Sequence, residues 1–333
     1  MTSTATPTPR EMTVIYSRAD RIFRRIVTAG ALTSLLLLGL IASFLILRSA
    51  ETFREFGINF ITGSEWFSAG EDPLGGADVA SSEAGDGSVF SIGPMILGSI
   101  IVALIAMTFA VPLAIGGALY IEFYAPRSIH RFLVSMLDLA AAIPSLIFGL
   151  WGIEVFTNFG VRWATLLNDR LGFIPIFSVE FENFGRSPFV AGCVLAALVV
   201  PITTSVAREV YSRTPRDLID TCYALGGSKW GAIRAVVMPY GRSGVIAGAM
   251  LGLGRALGET VAIYLMLNLV FKYSYQVLDS AGGNVASMIA LKFGEATDKE
   301  ISALIASGLV LFIITLIVNM IASSIVQRTT PRA

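Results

Sequence analysis

The sequence predicts an all-α membrane protein with six transmembrane helices, and three observations carry that prediction. Of its 333 residues 54% are hydrophobic and only 14% charged, with a mean hydropathy of +0.72; soluble domains carry roughly 25% charged residues. Apolar runs recur six times, each of roughly eighteen residues or more and so able to cross a hydrocarbon core of ~30 Å at 1.5 Å per residue. Lys and Arg gather in alternate connections between those runs, as they do when one side of a membrane faces the cytoplasm. The formal net charge is zero, so no global field draws nucleic acid to the chain.

The first run, Ile26 to Leu47, is uncharged over 22 residues and follows Arg18, Arg21, Arg24 and Arg25. It exceeds the roughly 7–15 residues of a signal-peptide core and is expected to be an uncleaved signal anchor. Residues 1–25 then form a cytoplasmic tail, whose first thirteen residues, rich in Thr, Pro and Ser, are expected to be disordered. Residues 48–93 read as an external loop, partly apolar in FREFGINFITGSEWF and flexible in GEDPLGGADVASSEAGDG, where Gly and small polar residues dominate. Five further spans fall within 94–326, and 327–333 is a second cytoplasmic tail.

The second span runs from Met95 to Ile121, with Ser91 and Pro94 as start signals and Pro112 predicting a kink or local break. A third covers about Phe132 to Phe156 with Pro144 mid-helix; Asp138 and Glu154 near its ends are expected at headgroup level. VRWATLLNDRLGF, within 157–188, has helical apolar spacing and is expected to lie along the membrane surface. The fourth span is about Phe189 to Val206, the fifth Gly244 to Val270, the sixth Ile301 to Val326, with a loop at 271–299. Fifteen Lys and Arg then fall on the side of the N-terminus and eight on the other, which puts both termini in the cytoplasm.

Two cysteines, Cys193 and Cys222, are too few for a disulfide framework and are read as reduced. His130 is the only histidine, so neither a zinc site nor a histidine relay can be assembled, and no metal site is expected. No Ser/His pair or pair of catalytic carboxylates falls within a span, which argues against an intramembrane enzyme.

Two stretches stand apart. Between the fourth and fifth spans lies a 37-residue basic segment, 207–243, far longer than a connection needs. Within it DLIDTCYAL reads as a short helix ended by Gly226 and Gly227, followed by a second helix and Pro239. Four lysines occur and none sits in a GxxxxGK[ST] loop, so the chain has no phosphate cradle of its own for ATP. The fifth span carries Arg255 about eleven residues, or ~17 Å, past its start. A central arginine costs roughly 2.5–3.5 kcal/mol even on mild insertion scales. Glu259 at i+4 is expected on the same face, one turn on, where it offsets part of that cost. Such a pair serves either as a contact for an anion, since the guanidinium fork suits a tetrahedral oxyanion, or as a structural salt bridge. Gly244, Gly248 and Gly252 at i, i+4, i+8 make a small-residue face for close helix packing.

The hairpin resembles the cytoplasmic EAA signature of ABC importer permeases. Counted from Asp220, Gly226 is the seventh residue and Pro239 the twentieth, as in that pattern; Asp-Thr-Cys replaces the opening Glu-Ala-Ala, and Val236 and Met238 fill the Ile and Leu positions. LGLGRALGETVA is similar to the fifth-span motif of PstC-type permeases of bacterial phosphate importers. FGINFITGSEW, SIIVALIAMTFAVPLAIGGALYIEFYAP and AAIPSLIFGLWG agree with the same family, so the resemblance covers most of 55–330. It implies a MetI-like permease bundle that pairs with a second, PstA-type permease. It further implies an ATPase dimer, holding ATP and Mg, docked at Asp220, Ala224, Gly226 and Pro239, and an external phosphate-binding protein. Arg255 and Glu259 are then expected along the path of inorganic phosphate. A permease for sulfate or molybdate is the near alternative. An ion-driven carrier relaying protons through Asp138 or Glu154 is the distant one, and it gives the hairpin no purpose.

Overall fold

The computed structural model describes residues 17–68, 87–179, 183–280 and 282–329. The disorder expected for residues 1–13, and the flexibility expected for all but the last residue of 70–87, lie outside these. The chain divides into two units, 1–47 and 48–333. Helix α1, Arg18–Phe56, begins in the first, where its apolar side chains are almost all exposed, as side chains facing lipid are. It continues past Leu47, so the connection to the next span starts nine residues later than its composition suggested.

The second unit opens with a short helix, α2 (Asn59–Thr62), and a two-stranded antiparallel ribbon, β1 (Trp66–Phe67) paired with β2 (Val89–Phe90). Long helix α3 (Gly93–Leu119) follows, then α4 (Arg127–Ala142), α5 (Ser145–Trp151), α6 (Thr157–Leu171) and α7 (Pro188–Ser212). After these come α8 (Arg216–Ala224), α9 (Lys229–Ala232), α10 (Met238–Leu257), α11 (Val261–Met266), α12 (Val285–Lys292) and α13 (Asp298–Thr329). π-Helical turns join α5 to α6 and α9 to α10 without a break, and a third continues α3 to Tyr124. Five helices are long and apolar enough to cross a membrane, and a sixth span results if the bent pair 127–142 and 145–171 counts as one.

The centre of the bundle is the α3–α7 pair. Along α3, Val102, Ala106, Ala110, Ala114 and Ala118 recur every fourth residue and are at most 1% exposed. In return α7 offers Gly192, where a Cβ would strike Ile105. Hydrocarbon tails are as apolar as leucine, so such helices associate through close backbone approach rather than hydrophobic drive.

Three expectations about spans need correction. Of the kink or local break expected at Pro112, the break does not occur: α3 runs as one helix from Gly93 to Leu119. The third span is not straight: it bends by 93° at Ile143 and Pro144, both extended (ψ 130° and 139°), because the residue before a proline is driven out of the α region. The stretch expected as a separate surface helix is the continuation of the arm beyond that bend. The fifth span also breaks: α10 ends at Leu257, and α11 starts after a turn at Gly258–Thr260.

The connection read as a loop at 271–299 contains α12, opened by a capping box between Asn284 and Ser287. At the same end, Trp66 donates Nε1–H to Glu300 Oε1 at 2.7 Å and Ser68 Oγ donates to Oε2 at 2.9 Å. Lys292 Nζ lies 3.4 Å from the same carboxylate. A carboxylate in the first turn of α13 also meets the positive end of the helix dipole, and the ribbon is thereby fastened to the bundle.

Candidate functional site

The 207–243 hairpin closes one end of the bundle. α8 has no buried residue. It ends in two reverse hydrogen bonds: Gly226 N–H donates to Tyr223 O at 2.9 Å and Gly227 N–H to Cys222 O at 2.9 Å. Gly226 sits at φ +82°, the left-handed residue of a Schellman stop. Ser228 then caps α9, its Oγ accepting from Gly231 N–H at 3.1 Å. Asp220 and Ala224, one turn apart on α8, are exposed, as are Gly226 and Pro239. So are the large apolar side chains Leu218, Tyr223, Leu225 and Trp230, with Leu225 85% exposed. Among the parts of the hairpin, Ile219, Ile233 and Val237 turn inward onto Ala118, Ala207 and Tyr211.

From the hairpin, α10 runs back antiparallel to α7. A Cβ on Gly244 would meet Val210, one on Gly248 Val206, and one on Gly252 both Val199 and Thr203. The three glycines therefore lie at the crossing, and their contacts step back along α7 turn by turn. Gly252 falls opposite the midpoint of α7, and Arg255 follows ~4.5 Å further along the axis. Arg255 is thus at mid-depth.

It occupies the last turn of α10, where the helix dipole favours a cation, and lines a groove of about 570 Å³ with Ile202, Ala247, Met250, Leu251, Gly254 and Asn319. Its Nε is shielded from solvent and meets no acceptor among the described residues. No salt bridge joins it to Glu259 among the described residues. The expected shared face required a continuous helix, and the turn at Gly258–Thr260 removes it. Glu259 is instead 6% exposed, its Oε1 accepting from Ala262 N–H at 3.3 Å and its carbonyl from Asn284 Nδ2 at 2.6 Å. It fastens the start of α11 to the start of α12.

Asn319 escaped the sequence reading. It is the one amide in the apolar run LFIITLIVNMIA of α13, and a polar residue at such a place is a functional signal in its own right. Asp138 and Glu154 are not part of this groove. His130 Nε2 lies 3.9 Å from Glu122, and the described residues hold no cluster of metal-ligating side chains.

The family described as the binding-protein-dependent transport system inner membrane component matches residues 110–333. A phosphate transport system permease protein PstC 2 of Mycobacterium tuberculosis is 36% identical over 311 residues, 92% of each chain. A phosphate transport system permease protein PstC of Xylella fastidiosa is 36% identical over 335 residues, 98% of each. The one from Pasteurella multocida is 34% identical over 93% of this chain and 92% of its own. Among solved structures, the MetNI methionine ABC transporter, in an inward-facing conformation, superposes with a TM-score of 0.50 at 12% identity over 70% of this chain and 93% of that one. A bacterial ABC transporter that imports alginate gives 0.50 at 15% identity over 93% and 99%; at such identities these two speak for the fold alone. A MetI-like helical bundle and a sequence alike over nearly the whole length of its relatives converge: the chain is a multi-pass membrane transport subunit and belongs to the family of binding-protein-dependent transport system inner membrane components.

Proposed function

We propose that this chain is the PstC-type permease of an ATP-driven importer of inorganic phosphate. The observation that carries the proposal is Arg255: a guanidinium at mid-depth, in an open groove, with a buried N–H that meets no acceptor. A structural arginine would have its donors satisfied within the bundle. One kept for a passing tetrahedral anion would not. The substrate named for the relatives supports phosphate over sulfate or molybdate. An ion-driven carrier is disfavoured because the exposed, rigidly ended hairpin would have no role in it.

In this reading a second, PstA-type permease covers the groove and completes the path. An ATPase dimer, which supplies ATP and Mg, grips Asp220, Ala224, Gly226 and Pro239, and a phosphate-binding protein delivers substrate at the ribbon end. The Lys and Arg bias supports a cytoplasmic hairpin and cytoplasmic termini. Arg255 pairs transiently with phosphate, while Glu259 lines the same path and fixes the turn that ends α10. Phosphate uptake by cells expressing Arg255→Gln tests this. Loss of at least about tenfold with normal assembly is expected, with Arg255→Lys intermediate, and undiminished uptake would leave Arg255 a structural role only.

A further inference from the structure

The mid-bundle groove does not end at Arg255. Its lining on α10, at 247, 250, 251, 254 and 255, continues at the helical repeat through Gly244, Ser243 and Tyr240, and Ile202 on α7 continues through Ser205, Val206, Glu209 and Arg213. Those residues, with Arg208, line a second widening of about 650 Å³ at the hairpin end. Ser243 precedes Arg255 by twelve residues, so the two widenings lie ~18 Å apart along one seam.

The second widening is built around cations. Arg213 donates Nε–H and Nη2–H to Glu209 Oε1 at 3.2 and 2.8 Å, so these two side chains balance each other. Arg208 also acts through its charge on Glu209 but stands outside that hydrogen-bonded pair: its Nε is shielded from solvent and meets no acceptor among the described residues. The hydroxyl-bearing residues Ser205, Ser243 and Tyr240 complete the wall. Between the two arginines, Thr203 Oγ1 is likewise buried without a partner. Of the four buried side-chain atoms left unpartnered among the described residues, three are thus strung along α7 and α10 between the middle of the bundle and the hairpin. Thr203 lines neither widening, being fully buried against Gly252, but the two unpartnered arginine donors that line them mark stations for an acceptor-rich ligand.

We propose that Arg208, with Ser205, Ser243 and Tyr240, forms a second station for a phosphate-type oxyanion at the hairpin end of the path, from which the anion leaves and to which it rebinds. This rests on the phosphate reading above. A free phosphate and the phosphate of an anionic lipid headgroup share the required chemistry.

The test uses the complete transporter in vesicles, with ATP enclosed, binding protein outside, and rising concentrations of phosphate preloaded on the hairpin side. Each variant's initial uptake is normalised to its own rate without preloaded phosphate. The station predicts that internal phosphate slows uptake by the native protein, and that Arg208→Gln raises the half-inhibiting concentration at least about tenfold, with Arg208→Lys between. If Arg208→Gln fails to assemble, the double variant Ser205→Ala, Ser243→Ala carries the same test, with an expected rise of about threefold. Vesicles with and without phosphatidylglycerol identify the source. A lipid headgroup in the station shifts the native curve and not the Arg208→Gln curve, whereas a station for free phosphate is indifferent to the lipid. Absent inhibition in the native protein, or equal inhibition in all variants, overturns the station. Absent phosphate uptake by the native protein overturns the phosphate reading instead.

Discussion

Replacing Gly244 by alanine tests the α7–α10 seam most sharply. The new Cβ would lie 2.7 Å from Val210 Cγ1 and closer still to Cγ2, with Val210 Cβ itself at 3.0 Å. Ordinary carbon–carbon contact is ~3.5–4.0 Å. Rotating Val210 relieves the methyl contacts but not the one to its Cβ, so the helices must separate by roughly half an ångström or more. Overpacking of this kind costs about 1–3 kcal/mol. Gly254 is the internal control. It lies on the same helix, but a Cβ there would meet nothing nearer than Asn319 Nδ2 at 4.0 Å, and exchanging glycine for alanine in a helix interior gains about 0.8–1.0 kcal/mol. That gain is common to both variants, so they should differ by about 1–3 kcal/mol, measured as reversible unfolding of purified protein in mixed micelles, and Val210→Ala should recover part of the Gly244→Ala loss through non-additive coupling. Equal stabilities for Gly244→Ala and Gly254→Ala would refute the claim that the Val210 side chain seats directly on the α10 backbone at Gly244.

Gly226→Val should cost about 1–2 kcal/mol through its left-handed φ alone, since nothing lies within 4 Å of its would-be Cβ; the expected result is lost co-purification of an ATPase with a loss in the same unfolding assay no larger than that. Glu300→Gln keeps shape but weakens three charge-assisted contacts to Trp66, Ser68 and Lys292, each worth about 1.5–3 kcal/mol; a shift in tryptophan emission and faster proteolysis near the ribbon are expected, and an unaltered spectrum would deny the fastening. Gly98→Ala drives a methyl into the carbonyl oxygen of Gly283, which no side-chain rotation can avoid, so this variant should lose more stability than Gly244→Ala in the same assay.

Much of this was legible from composition and spacing. The stop at Gly226–Gly227 was readable because a short helix followed by two glycines has few other solutions. The glycine spacing in α10 likewise pointed to one face. The bends were not legible, because they depend on what holds each helix straight. Pro112 and Pro144 look alike in sequence. Around Pro112 the buried alanines of α3 on both sides rest on α7, so packing overrides the missing hydrogen bond; α4 has no buried residue, so no comparable burial holds the chain straight at Pro144. The break after Leu257 carries no proline at all. It is fixed from outside the local sequence, by Asn284 reaching the Glu259 carbonyl from 25 residues away, so the partner assigned to Arg255 by i+4 spacing could not be checked without the fold.

One consequence concerns mechanics. From Lys229 to Leu257 the backbone is helical without interruption, through the π-turn at 233–237. The element that begins on the exposed hairpin is therefore the same rod that ends on Arg255, ~39 Å away. A tilt of about 10° imposed at the hairpin sweeps the guanidinium through roughly 7 Å by the same helix geometry, about the width of a hydrated anion. Along the seam the glycines leave no side-chain ridge to interlock with α7, so the rod has a bearing to turn on. Force applied at one surface of the protein is delivered, undivided, to the single cation at its middle.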